Sequence, residues 1–173
     1  MPESLPEPWL RGPIPTLHPV IGHLVHAAKQ IREDLAGAIH TLSAEEIWAK
    51  PRGLTSAGFH AKHLAGSTRR LCAYLEGRGL ADEEIAAIAK EKDGEENAAE
   101  LFGIVESALD LYERQVRELK AEEFGSLRYV GRARLPVCAV SLAIHIAEHG
   151  QRHVGQAISA ARLACQFTGR RPS

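Results

Sequence analysis

The 173-residue sequence contains no apolar run long enough to cross a bilayer and no closely spaced pair of cysteines. A membrane-spanning helix needs about 18 or more consecutive apolar residues, so we expect no association with a membrane. Cys72, Cys138 and Cys165 are odd in number and far apart, with no CxxC pair among them. We interpret them as reduced, mostly buried thiols, which are typical of a cytoplasmic protein.

The sequence also has little excess of either charge, because 21 Lys and Arg residues balance 22 Asp and Glu residues. A dedicated nucleic-acid binder carries a clear basic excess, so we expect no nucleic-acid partner. The first 15 residues lack the basic and apolar segments of a secretory signal, which also favours the cytoplasm. Hydrophobic residues make up 45% of the sequence, and this content predicts a folded chain rather than a disordered one.

The length predicts one compact domain with a short segment on either side. We expect residues 1–17 to form a Pro-rich arm, residues 18–167 a single helical domain, and residues 168–173 a polar tail. Apolar residues recur every three or four positions in four long segments, which is the pattern of amphipathic helices. These segments run from about Pro19 to Leu42, from about Ser56 to Glu76, from about Glu95 to Lys120 and from about Pro136 to Phe167.

Four long helical patterns with almost no strand signal predict an all-α fold, a four-helix bundle. The charged stretch between the second and third helices is long enough to allow a crossover connection instead of a plain hairpin. Ser43 followed by Glu46 predicts a capping box at a short turn after the first helix. Residues 124–135 break the helical pattern and predict a loop or a short extended piece. The last helix is then expected to begin near Pro136, since proline is favourable in a first turn.

Histidine is abundant, with nine residues in the sequence, and the positions of these residues on the predicted helices differ. His149 and His153 are four positions apart on the last helix, so they lie one turn apart on one face. That face also carries the apolar residues of the helix, so both imidazoles are predicted to point into the core. In the first helix, His26 and His40 lie nearly opposite the apolar face and His23 lies on its flank, and all three are interpreted as surface residues.

Buried imidazoles need a partner for each ring nitrogen, either a hydrogen-bonding group or a metal ion. A pair of histidines spaced i, i+4 is a good metal chelate. The second helix supplies His60, near the centre of its leucine stripe, and His63 on the flank, and either could reach across the bundle. One of them together with His149 and His153 predicts a three-histidine metal site. Three neutral imidazoles leave coordination positions open for water or substrate, as catalytic metal sites do.

The second helix contains the segment Gly58-Phe-His-Ala-Lys-His-Leu-Ala-Gly-Ser-Thr-Arg-Arg-Leu71, and the last helix contains an HxxxHxGQ motif from His149 to Gln156. The order and separation of these two segments resemble those of DinB-like proteins, over roughly residues 18–165. The resemblance implies a four-helix bundle with a crossover connection. It also implies a divalent metal, most often zinc or nickel, bound by three histidines.

The resemblance places the three metal ligands at His63, His149 and His153, and so decides between the two histidines of the second helix. His60 and His145 then become candidates for holding a ligand ring in place or for binding substrate. Gln156 is expected to pack beneath the site and to orient a ligand or a water molecule.

From the resemblance we expect a divalent-metal-dependent enzyme acting on a small-molecule substrate, either a hydrolase or a transferase or isomerase that uses a low-molecular-weight thiol. The ion would lower the pKa of a bound water or thiol and so supply a nucleophile at neutral pH. One alternative is a non-catalytic stress-response bundle that binds a metal or a small ligand. Another is a helical bundle whose core histidines are satisfied without a metal. By analogy with the family, we also expect a homodimer.

Overall fold

A computed structural model describes residues 5–167, and these residues are mostly helical, as predicted, with one small sheet. The six α-helices of this range are α1 (Pro19–Ile39), α2 (Ala44–Trp48), α3 (Ala57–Leu75), α4 (Asp82–Ala86), α5 (Ala98–Glu118) and α6 (Ala139–Phe167). Short 3-10 segments occupy Pro8–Arg11, Pro51–Gly53, Ala87–Glu91 and Ala121–Glu123. Strands β1 (Leu127–Val130) and β2 (Leu135–Cys138) pair antiparallel. The predicted tail, residues 168–173, and the first four residues of the predicted arm lie outside the described residues.

Four of the six α-helices described, α1, α2, α3 and α5, begin at a residue whose side chain caps free backbone N–H groups. At the start of α3, the Ser56 hydroxyl accepts a hydrogen bond from the N–H of Phe59 at 3.1 Å. Asn97 caps α5 in the same way. The capping box predicted for Ser43 and Glu46 is present at the start of α2. Each such cap stabilises its helix by about 1 kcal/mol, which explains why these boundaries are readable in the sequence.

The segment before the last helix folds into a β-hairpin. The extended piece predicted within residues 124–135 is confirmed, and the turn includes Gly131 at a φ of 70°, a conformation that glycine adopts without strain. The predicted start of the last helix near Pro136 is wrong, because Pro136 lies in β2 opposite Tyr129 and α6 begins at Ala139. Proline has no N–H to donate, but a strand at the edge of a sheet tolerates this.

The core lies between the four long helices. Helices α1 and α3 each pack extensively against both α5 and α6. The apolar faces predicted from the sequence are buried here, with Ile31, Leu64 and Ile146 almost fully enclosed. Tyr112 of α5 is also fully buried, and its hydroxyl donates to the carbonyl of Ala143 in α6 at 2.9 Å. Among residues 5–167, no helix combines the length and apolar character that a membrane span requires.

The connection between α3 and α5, residues 76–97, packs against α3 and is held there by polar contacts. The Trp48 indole N–H donates to the backbone carbonyl of Glu96 at 3.0 Å. The Lys62 ammonium on α3 pairs with the Glu96 carboxylate at 2.7 Å. These contacts fix the path of the connection, which carries the buried residue Glu91 against α3.

Candidate metal centre

Three histidines meet where α3 packs against α6. His63, His149 and His153 each contribute one ring nitrogen to a group of three nitrogens that lie within 4.8 Å of one another. The ring centroid of His153 lies 4.5 Å from that of His63 and 4.6 Å from that of His149. All three residues are half-buried. The cluster could hold a metal ion, since imidazole nitrogens bind zinc at about 2.0–2.1 Å and nitrogens this close can reach one ion.

The Nδ1 atom of each histidine already has a partner, and for His63 that partner is Glu91. Nδ1 of His63 lies 2.7 Å from Oε2 of Glu91, and the Arg70 guanidinium donates to Oε1 of the same carboxylate at 2.5 Å. A carboxylate only accepts hydrogen bonds, so Nδ1 of His63 carries the proton. The lone pair on Nε2 is then free for an ion, as in the carboxylate–histidine–metal arrangement common in metalloproteins.

Ser67 is the corresponding partner of His149. Its hydroxyl oxygen lies 3.1 Å from the Leu64 carbonyl and 3.2 Å from Nδ1 of His149. The carbonyl can only accept, so the hydroxyl donates to Leu64 and accepts from the Nδ1–H of His149. This assignment follows from the hydrogen-bond network, and it again leaves Nε2 of the histidine free.

His60 is the partner of His153. The two Nδ1 atoms lie 3.1 Å apart, and Nε2 of His60 lies 2.7 Å from the Thr55 hydroxyl. When the Nδ1–H of His153 donates to His60, the Nε2–H of His60 donates to Thr55, and Nε2 of His153 is free. His60 is only 6% exposed, whereas the side chain of His63 is 25% exposed. The deeper histidine of α3 therefore lies behind the cluster, and the shallower one belongs to it.

Burial favours the neutral form of His60, His149 and His153. Burial, followed by the charge that His63 carries when protonated, lowers the pKa of His149 to about 4 and that of His153 to about 3. The same two causes lower the pKa of His60. For Glu91, burial acts to raise the pKa, but the hydrogen bonds from His63 and Arg70 outweigh it and hold the pKa below its usual value. At neutral pH His149 and His153 are therefore unprotonated, which is the state that binds a metal.

Glu91 fits against α3 because residue 66 is glycine. A Cβ atom at Gly66 would collide with the Glu91 carboxylate and press on the Arg70 guanidinium. Glu91 is 5% exposed. Its burial could not be predicted, because nothing in this charged stretch of the sequence shows which side chain turns inward. Ser67 was not predicted either, although a signal exists, since it follows His63 by four positions and so shares its helical face.

The other predicted site residues lie around the cluster. His145 is exposed, with its ring centroid 5.9 Å from that of His149. Gln156 is exposed and does not pack beneath the site, because it lies on the wall of an open cavity of about 390 Å³. His60 and Arg152 line the same cavity. Of these residues, His60 forms a hydrogen bond with a candidate ligand ring, that of His153.

Two residues outside the cluster depart from their predicted burial. His26 is half-buried instead of exposed, because its Nε2 lies 2.8 Å from the carbonyl of Gly12 in the N-terminal segment. Cys138 is an exposed thiol at the end of β2. The remaining predictions of this kind are confirmed, with His23 and His40 exposed and with Cys72 and Cys165 buried.

A comparison with known protein families agrees with this fold and cluster. The family model described as the DinB superfamily matches residues 27–157, a range that contains His63, His149 and His153. The chain therefore belongs to the DinB superfamily, and the resemblance noted in the sequence is confirmed. No curated protein matches the chain.

Proposed function

We propose that the chain is a divalent-metal-dependent enzyme acting on a small-molecule substrate, with the metal bound by His63, His149 and His153. One observation carries this proposal. Each Nδ1 atom has its own hydrogen-bonding partner, which leaves the three Nε2 lone pairs available to an ion. Without an ion, these half-buried Nε2 lone pairs would need other partners. Membership of the DinB superfamily, whose members often bind metals, supports the same conclusion.

The donor set favours zinc or nickel. Imidazole nitrogens suit zinc, nickel, copper and iron, whereas magnesium and calcium prefer oxygen ligands. Three protein ligands leave a coordination position for water, thiol or substrate, which is the arrangement of catalytic rather than closed structural sites. A bound divalent ion would act as a Lewis acid toward that group at neutral pH.

The side chains of the protein would orient the ligand rings and bind the substrate. Glu91 and Ser67 hold a proton on Nδ1 of the ring that each contacts, and His60 does so when His153 is the donor of their hydrogen bond. Each partner thereby fixes the orientation of a ring. His60 also lines the cavity of about 390 Å³, together with Arg152, so a substrate in this cavity would lie next to the cluster. The reaction would be a hydrolysis, or a transfer or isomerisation that uses a low-molecular-weight thiol.

A non-catalytic metal-binding role is the second candidate, and one observation favours it. His63 lies on α3, whereas His149 and His153 lie on α6, so a shared ion would tie the two helices together. In this role the ion would stabilise the fold, and the chain would act as a stress-response module with no reaction of its own.

We further propose that the four long helices form a four-helix bundle with a crossover connection. The packing of α1 and α3 against both α5 and α6 supports this arrangement, because it sets α1 diagonally opposite α3 and α5 diagonally opposite α6. The division into an arm (1–17), one domain (18–167) and a tail (168–173) belongs to the same proposal. A cytoplasmic location and a homodimer remain expectations from the sequence and the family.

Elemental analysis of the purified protein tests the metal site. We expect about one divalent ion per chain in the wild type, since three ligands define one site. The H149A/H153A variant should lose the metal and keep most of its helicity by circular dichroism. H40A is the matched control, because His40 is exposed and lies outside the cluster. Wild-type protein that stays metal-free after reconstitution with zinc and with nickel would refute the proposal.

A substrate screen on the metal-loaded protein then separates the two candidate functions. We expect turnover in an assay of hydrolysis or of transfer to a small thiol, lost on chelation and in H149A/H153A. The non-catalytic role predicts instead that chelation lowers the melting temperature while every such assay stays blank.

A further inference from the structure

A second cavity, of about 340 Å³, lies between α3, α5 and the connection that joins them. None of the three candidate metal ligands lines it, and Glu91 in its wall is the residue that contacts His63 of the histidine cluster. Charged side chains dominate its wall, four cations against two carboxylates: Lys62, Arg69, Arg70, Lys90, Glu84 and Glu91.

Ion pairs neutralise four of these six charges. Arg70 pairs with Glu91 at 2.5 Å inside the wall. Lys62 and Glu84 pair with residues just outside the cavity wall, Lys62 with Glu96 at 2.7 Å and Glu84 with Arg78 at 2.8 Å. Both carboxylates of the cavity, those of Glu84 and Glu91, are therefore paired with cations other than Arg69 and Lys90.

Arg69 and Lys90 are the two charges left over. Neither forms an ion pair within the part of the chain that the structure describes, residues 5–167. Arg69 is half-buried, and its guanidinium donates to the neutral carbonyl of Ile104 at 3.1 Å. That contact fixes the side chain at the α3–α5 interface and uses only part of its five N–H donors. Lys90 is exposed and belongs to the connection, so the two charges come from two different walls.

We propose that this cavity binds a small dianion, a phosphate group either free or as a monoester, between Arg69 and Lys90. Two uncompensated positive charges match the charge of a phosphate near neutral pH. The planar guanidinium fork of arginine also matches two phosphate oxygens, and an anchored guanidinium gives up little freedom on binding. The volume leaves room for a small organic group beside the phosphate, and Ala87 and Ile104 supply apolar contacts for it. This site does not depend on the proposed metal.

Isothermal titration calorimetry with inorganic phosphate at low ionic strength tests the proposal. We expect saturable binding of one phosphate per chain, weakened by raised salt because part of the attraction is screened. R69Q and K90Q should each weaken binding by about tenfold or more, since each removes a charged partner of the anion. R69K keeps the charge but loses the fork, so its affinity should lie between those of R69Q and the wild type. A second titration with phenyl phosphate identifies the source: tighter binding than phosphate indicates a monoester, and equal binding indicates free phosphate.

Two controls separate this site from the surface and from the metal centre. K29Q removes an exposed lysine of α1 outside the cavity and should leave phosphate binding unchanged. The H149A/H153A variant should also bind phosphate as the wild type does. The proposal is overturned if the wild type shows no saturable binding, if K90Q and R69Q bind as the wild type does, or if binding is lost in H149A/H153A. K90Q changes an exposed side chain, so its folding is not at risk, and circular dichroism verifies R69Q.

Discussion

Replacement of Glu91 by glutamine tests whether this carboxylate holds His63 in place as a ligand. E91Q keeps the shape of the side chain but removes the charge to which both His63 and Arg70 donate. Loss of such a supporting partner weakens metal binding by about 10–100-fold, or about 1.4–2.8 kcal/mol. We expect the smaller loss in E91Q, because the amide oxygen can still accept from Nδ1 of His63, and the larger loss in E91A. Zinc affinity is measured by competition with a chromophoric chelator.

The same substitution leaves the Arg70 guanidinium without its carboxylate. The side chains of Arg70 and Glu91 are 13% and 7% exposed, so water reaches the pair poorly. Removing one partner of a buried ion pair costs about 3–5 kcal/mol. The remaining exposure of Arg70 places E91Q at the lower end, about 3 kcal/mol. Urea denaturation of the metal-free protein measures this loss separately from the zinc affinity of the folded protein.

A matched control and a double-mutant cycle make the reasoning refutable. D93N removes a carboxylate from the same connection, where it pairs with the exposed Lys50 on the surface, so zinc affinity should not change. In an H63A background, E91Q should cause no further loss of zinc affinity, because its effect passes through His63. Wild-type zinc affinity in E91Q, or an equal loss with and without His63, would show that Glu91 does not act on this ligand.

A glycine substitution and a change of pH give further tests. G66A should reduce zinc affinity as E91Q does, because its Cβ displaces the Glu91 carboxylate. G103A, on the open face of α5, should leave zinc affinity intact and add about 0.5–1 kcal/mol to the free energy of unfolding. Equal zinc affinity in G66A and G103A would contradict the argument that a Cβ at residue 66 displaces Glu91. The pKa values of His149 and His153, about 4 and 3, lie below the ordinary 6.5, so the folded state binds fewer protons than the unfolded one. The free energy of unfolding of metal-free protein should therefore fall as pH drops from about 6.5 toward 3. The free energy of unfolding, measured by urea titration across this pH range, should vary less with pH in H149A/H153A than in the wild type. A wild-type value that does not vary with pH would contradict the lowered pKa values.

The spacing of His149 and His153 was sufficient to predict that they share one helical face. The position of His60 on its leucine stripe also predicted correctly that it lies deeper than His63. Depth did not identify the histidine of α3 that joins the cluster, because this depends on the distance and rotation between α3 and α6. The family resemblance resolved the choice, since it carries information about packing that one helix cannot contain.

The contribution of Glu91 could not be predicted for a different reason. Its burial depends on the path of the connection, which is fixed by contacts as distant in sequence as that of Trp48 with Glu96, and on the open surface at Gly66. None of these leaves a periodic pattern. The predicted start of α6 was wrong for a local reason. Pro136 suits a first helical turn and an edge strand equally well, and the pairing of β2 with β1 decides between them.

The three candidate ligands come from helices that are separated in the sequence by the whole of α5. A ligand that binds only the folded state raises the free energy of unfolding by RT ln(1 + [L]/Kd), so stability follows the concentration of the ligand. Under the proposed function, a shortage of metal would leave more of the chain open to cellular proteases, and an ample supply would extend its half-life. The amount of this protein in the cell would then rise and fall with the metal supply, with no change in the rate of its synthesis.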